Sequence, residues 1–175
     1  MLVGLLTVAH LFDGGQSFPT LVDLVHGSAR VNEAPSAGSA RIEGTASVTD
    51  GDTLMVRGVR IRLYGIDAPE RDQTCRREDG RSWSCGPEAT AELRRLVSGE
   101  KISCEVQDRD RYGRSVSMCR VGGTDIGSEM VRAGLALAYR QYSRHYVGDE
   151  AYAERRKVGV WAGTFDPLWD WRRQN

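Results

Sequence analysis

Residues 42–66 read IEGTASVTDGDTLMVRGVRIRLYGI, and this stretch decides the fold. Apolar positions alternate through it, which predicts strands near 42–48, 53–57 and 59–66. Asp50-Gly51 and Gly58 are turn signals, so the three strands follow one another through short connections. Pro69 cannot continue a strand because it has no N–H to give the ladder. Arg62, Leu63 and Tyr64 therefore belong to the third strand, while Asp67 and Glu70 fall where it opens into a loop.

Outward from this stretch, residues 71–85 form a highly charged loop. Gly86-Pro87-Glu88 opens a helix, since proline suits a first helical turn. Ala89, Leu93, Leu96 and Val97 give it one apolar face, and Gly99 ends it. Two more strands follow near 101–107 and 114–121, joined through DRDRYGR. A second helix is predicted over 126–137, with Ile126, Met130, Val131 and Leu135 facing inward, and a charged third helix over 149–158. Five strands with a helix after the third describe an α+β fold, a five-stranded OB-fold barrel with three helices.

The chain has 175 residues, 40% hydrophobic and 27% charged, enough for one domain with an appendage. Residues 27–41, GSARVNEAPSAGSAR, are small and polar and read as a linker. The expected organisation is an N-terminal extension over 1–41, the barrel domain over 42–165 and a tail over 166–175. The first twelve residues, MLVGLLTVAHLF, are too short to span a bilayer and lack a basic leader, so no stable membrane span is expected. An export-signal remnant and an amphipathic helix both remain open for them. With 24 basic and 24 acidic side chains the net charge is zero, so attraction for a polyanion requires a local patch.

Cys75, Cys85, Cys104 and Cys119 contain no C-x-x-C pair and have no histidine nearby, which argues against zinc. Cys104 and Cys119 flank the predicted hairpin, and Cys75 and Cys85 bracket the charged loop. Two disulfides and an extracytoplasmic location, periplasmic or secreted, are expected, against the alternative of four reduced buried thiols.

Two short segments could carry chemistry. Asp50-Gly51-Asp52-Thr53 is either a solvated hairpin turn or a turn that aims Asp52 across the sheet toward Asp67. In the second case two carboxylates, a backbone carbonyl and waters would suit a hard cation such as Ca²⁺. Arg111-Tyr112-Gly113-Arg114 is either a basic hairpin turn or a device that points Arg114 into the same pocket as Arg62. Paired guanidinium forks suit a phosphodiester whose oxygens gain charge in the transition state.

Together the motifs resemble the staphylococcal nuclease (thermonuclease) family. The resemblance covers about 42–161 and rests on five motifs. These are Asp50-Gly51-Asp52-Thr53, Arg62-Leu-x-x-Ile-Asp67-Ala-Pro69-Glu70, Gly86-Pro87-Glu88-Ala89, Asp110-Arg-Tyr-Gly-Arg114 and Val131-Arg-x-Gly134-Leu-Ala. It implies an OB barrel with three helices and Ca²⁺-dependent hydrolysis of DNA and RNA, preferably single-stranded, to 3′-phosphate products. It also implies Asp52, Asp67 and the Ala68 carbonyl as metal ligands, Glu70 as general base, and Arg62 and Arg114 as the pair on the scissile phosphate. Arg111, Tyr112 and Tyr139 would contact the nucleotide, and a monomer is expected. Where the family often has threonine, this chain has Ala68. It also carries Cys75 and Cys85 beside Glu70 and lacks the basic charge of well-studied members. The alternative is a weakly active or inactive module that binds nucleic acid or protein.

Overall fold

The computed structural model of the chain describes residues 40–166, 168, 170 and 171. The expectations for residues 1–39 and for most of the tail over 166–175 lie outside them. In chain order the strands are β1 (Arg41–Val48), β2 (Thr53–Val56), β3 (Val59–Leu63), β4 (Ile66–Asp67), β5 (Cys75–Arg77) and β6 (Ser82–Trp83). After helix α1 (Cys85–Val97) come β7 (Lys101–Arg109), β8 (Ser115–Val121), β9 (Thr124–Asp125) and α2 (Ile126–Arg132). The chain continues through β10 (Leu137–Ala138), α3 (Val147–Arg156), a 3₁₀ turn and β11 (Gly163–Thr164).

Five strands close a mixed barrel. β1 pairs antiparallel with β2 and β7, β2 with β3, and β7 with β8. The seam is β3 against β8, which run parallel with Arg62 opposite Val116. β7 carries a bulge between Val106 and Asp108, just before the hairpin that leads to Arg114. A bulge adds twist and bends its strand. Leu54, Val56, Ile61, Leu63 and Ile102 fill the barrel, capped by Ala89 and Leu93 from α1 and by Ile126, Met130 and Val131 from α2. Each fully buried branched side chain of this kind contributes about 2 kcal/mol relative to exposure.

Three expectations are corrected. The third strand does not run on to residue 66. It ends at Leu63, because Gly65 takes φ +70° and reverses the chain. Asp67 therefore does not sit where that strand opens into a loop. It lies on β4, paired with Leu137 of β10. The second helix stops at Arg132 rather than 137, since Gly134 adopts φ +66° at a place where a Cβ would stand 2.2 Å from the Val158 carbonyl oxygen, and Leu137–Ala138 becomes β10. The charged segment 71–85 is a short β5–β6 hairpin that also pairs with β11, not an open loop.

Both disulfides are present. Cys104 and Cys119 face each other across β7 and β8, and Cys75–Cys85 joins β5 to the first residue of α1. Around the second bridge Leu137, Val160 and Leu168 form a separate buried cluster, with Trp161 and Phe165 packed edge to face at 5.6 Å. Leu168, within the expected tail, is fully buried there. Replacing Cys104 and Cys119 by alanine is expected to cost about 3 kcal/mol, because the bridge closes a loop of 15 residues in the unfolded chain. Urea denaturation measures it, and a loss below about 1 kcal/mol would refute the loop-entropy account.

Candidate active site

The turn Asp50–Thr53 is set by its own side chains: the Asp52 N–H donates to Asp50 Oδ1 at 3.2 Å. This delivers a buried Asp52 to the start of β2, where Thr53 pairs with Arg62 across β3. Arg62 then binds two carboxylates at once. Its Nη1 lies 2.7 Å from Asp52 Oδ2 and its Nη2 lies 2.8 Å from Asp67 Oδ1. Nη2 also donates to the Ile66 carbonyl at 3.4 Å. Ala68 approaches Asp52 through its N–H, 3.5 Å from Oδ2.

Arg114 enters the same network from the other side of the seam. Its Nη1 donates to Thr53 Oγ1 at 3.4 Å, and Thr53 Oγ1 donates to Asp52 Oδ1 at 2.9 Å. Asp110 fixes Arg114 in place: Oδ2 accepts from Nε at 2.6 Å, and Oδ1 accepts the backbone N–H groups of Tyr112 and Arg114. Burial works against the Asp110 carboxylate, yet these bonds hold its pKa below the usual value. Sequence reasoning gave Asp110 no role. The signal was there, since an aspartate opening a tight turn bonds the backbone two residues on.

The pieces border one cleft of about 630 Å³. Asp52, Arg62, Ala68, Glu70, Arg111, Tyr112, Arg114 and Tyr139 all line it, while Asp67 is 2% exposed and connects to it through Arg62. Tyr112 is 70% exposed at the rim, with the Arg111 and Arg114 guanidinium carbons 4.9 and 5.8 Å from its ring centre. Tyr139 and Tyr142 form the facing aromatic group, with ring centres 4.9 Å apart. Tyr142 reaches Tyr139 through a local turn, its N–H donating to the Tyr139 carbonyl at 3.0 Å, whereas only the tertiary fold brings Tyr64 beside them.

The cleft is not a basic patch. Four arginines (Arg62, Arg109, Arg111 and Arg114) face five acids (Asp50, Asp52, Glu70, Asp108 and Asp110). Burial, partly offset by Arg62 and reinforced by Asp50 and Asp67, pushes the Asp52 carboxyl up to about 6. The site thus holds the Asp52 carboxylate reluctantly. Its hard oxygen donors fit Ca²⁺, which takes carboxylate, carbonyl and water oxygens. Among the described residues no three His, Cys, Asp or Glu side chains gather, so such an ion would depend on backbone and water oxygens as well.

Asp52→Asn is expected to leave the metal-free fold at least as stable as wild type, because it removes a poorly solvated charge. The same change should abolish any thermal stabilisation by Ca²⁺. Melting curves with and without the ion test both parts, and an undiminished Ca²⁺ response would exclude Asp52 as a ligand.

The profile of the family described as staphylococcal nuclease homologue matches residues 60–163. A succinoglycan biosynthesis protein, ExoI, of Rhizobium meliloti is 36% identical over 129 residues, covering 71% of this chain and 68% of its own length. An uncharacterized endonuclease of Escherichia coli O157:H7 is 37% identical over 136 residues, covering 73% of this chain and 82% of that protein. The staphylococcal-like nuclease CAN1 of Arabidopsis thaliana is 31% identical over 125 residues, which cover 70% of this chain but 36% of the plant protein.

Proposed function

This chain belongs to the staphylococcal nuclease homologue family, and from that premise we propose Ca²⁺-dependent hydrolysis of nucleic-acid phosphodiester bonds. Membership gives the class, a nuclease. The cation, the substrates and the residue roles are the proposal. One observation carries it: Asp52, Arg62, Asp67 and Arg114 form a single bonded network beside Glu70 in an aromatic-rimmed cleft. The other reading, a binding module, leaves two buried acids around one arginine with no chemical purpose.

In this reading Asp52, Asp67 and the Ala68 carbonyl would hold the ion, which when bound would offset the cleft's acids and draw charge from the phosphate oxygens. Glu70 takes a proton from a water whose oxygen bonds to phosphorus. The bond to the 5′ oxygen breaks, and that oxygen takes up a proton from solvent, leaving a 3′-phosphate and a 5′-hydroxyl. Arg62 and Arg114 bond the phosphate oxygens as their charge grows, and Asp110 keeps Arg114 extended for that contact. Tyr112 and Tyr139 stack on bases whatever their identity, with Arg111 beside them, which suits unpaired DNA and RNA. The protein acts as a monomer outside the cytoplasm. Its two disulfides fit an oxidising compartment, and no helix among the described residues is long and apolar enough to cross a membrane.

Purified protein is expected to degrade single-stranded DNA and RNA with Ca²⁺ and to stop on chelation. End-group analysis should find 3′-phosphates. Nucleic-acid binding without Ca²⁺-dependent cleavage would establish the binding module instead.

A further inference from the structure

Glu70 lies behind Pro69, three residues past the end of the two-residue strand β4 and outside any helix or strand. The structure fixes it through Gln73. The Gln73 Oε1 accepts the Glu70 N–H at 3.1 Å, and the Gln73 N–H donates back to the Glu70 carbonyl at 2.9 Å. One residue thus binds both backbone polar groups of the proposed base.

Gln73 is itself immobilised. It is fully buried, although glutamine is mostly a surface residue. Its Nε2 donates to the Asp166 carbonyl at 3.3 Å, and its own carbonyl accepts the Gly86 N–H at 3.1 Å. That carbonyl also lies 3.4 Å from Sγ of Cys85, a contact only, since a bridged sulfur carries no proton. Gly86 completes the arrangement. A Cβ there would stand 1.7 Å from the Glu70 carbonyl oxygen, so α1 can press against this peptide only as glycine. Gln73 thus grips Glu70 through its N–H and Oε1, and ties it to α1 through its own carbonyl and to the C-terminal segment through Nε2.

We propose that Gln73 is a positioning residue that holds Glu70 at its working place in the cleft and couples it to the disulfide-braced hairpin and to the segment around Asp166. This rests on the assignment of Glu70 as base. A base contributes only where its oxygen stays within hydrogen-bond reach of the water, so freedom in its loop reduces turnover more than binding.

The test uses the full chain, Ca²⁺ and single-stranded DNA. Gln73→Met keeps the size and loses both amide contacts. Gln73→Glu keeps the oxygen that faces the Glu70 N–H, and its buried, protonated carboxyl replaces the amide donor to Asp166 with an O–H. Gln73→Met is expected to lower kcat at least tenfold with KM within about twofold, while Gln73→Glu retains most of the turnover. Amide hydrogen exchange reads the clamp without reference to activity: Glu70 should lose protection in Gln73→Met and keep it in Gln73→Glu. Unchanged Glu70 exchange in Gln73→Met would overturn the proposal. So would a loss confined to KM, or equal loss of kcat in both variants. Should Gln73→Met fail to fold, Gln73→Glu alone decides, because loss of Glu70 protection there contradicts the clamp. If Glu70→Gln turns over like wild type, the base assignment itself has failed. Altered exchange in Gln73→Met would then show a loop brace, and the positioning role would be refuted separately.

Discussion

Arg62→Met is expected to destabilise the metal-free protein by about 3–5 kcal/mol and to remove detectable cleavage. Asp52 and Asp67 are 6% and 2% exposed, and this one guanidinium bonds both. Without it two carboxylates stay buried with no cation between them, so they must take up protons or admit water. Arg62→Lys should recover part of the stability and little of the activity, since a single ammonium on a flexible stem cannot fork between two acids. Ca²⁺ should restore more than half of the stability lost by Arg62→Met, because an ion bound by the folded state alone shifts the equilibrium by mass action. Urea titrations with and without Ca²⁺ measure each quantity. A metal-free loss under about 1 kcal/mol would mean that the two acids do not need Arg62.

Glu70→Gln should separate chemistry from structure in the opposite way. A general base contributes about 10²- to 10⁴-fold, and kcat should fall by that amount. KM and the melting temperature should hardly move, because the bonds to Gln73 run through the Glu70 backbone and survive the change. Single-turnover kinetics on a defined oligonucleotide resolve the two parameters. Undiminished kcat would take Glu70 out of the mechanism.

Much of this architecture is readable from the chain because its signals are local. Asp50-Gly51 and Gly58 turn the first three strands, Pro87 opens α1, and the hairpin spacing places Cys104 opposite Cys119. What the chain conceals depends on pairings between distant residues. Ile66–Asp67 find their partners at Leu137–Ala138, some seventy positions on, so nothing near Gly65 announces that the third strand has ended. The residue types of the site were legible, but its wiring was not. Arg62 could be read as a phosphate ligand, whereas its grip on both acids requires the turn at Gly65 to bring Asp67 back. Gln73 shows nothing in sequence, because its role exists only once α1 and the C-terminal segment have closed around it.

The parallel seam between β3 and β8 has a consequence for the order of folding. Arg62 lies on β3, and Arg114 directly precedes β8, yet the strands meet across some fifty residues of intervening chain. Pairings of such long range are slow, since the entropy of closing the loop comes before any contact repays it. The hairpins β1–β2–β3 and β7–β8 can each form earlier, one with Asp52 and Arg62 and the other with Arg114. A chain that has not yet closed this seam carries Asp52, Arg62 and Arg114 but not the cleft they share. On the proposed function, hydrolysis would therefore wait for the long-range pairings β1–β7 and β3–β8 that bring the two hairpins together.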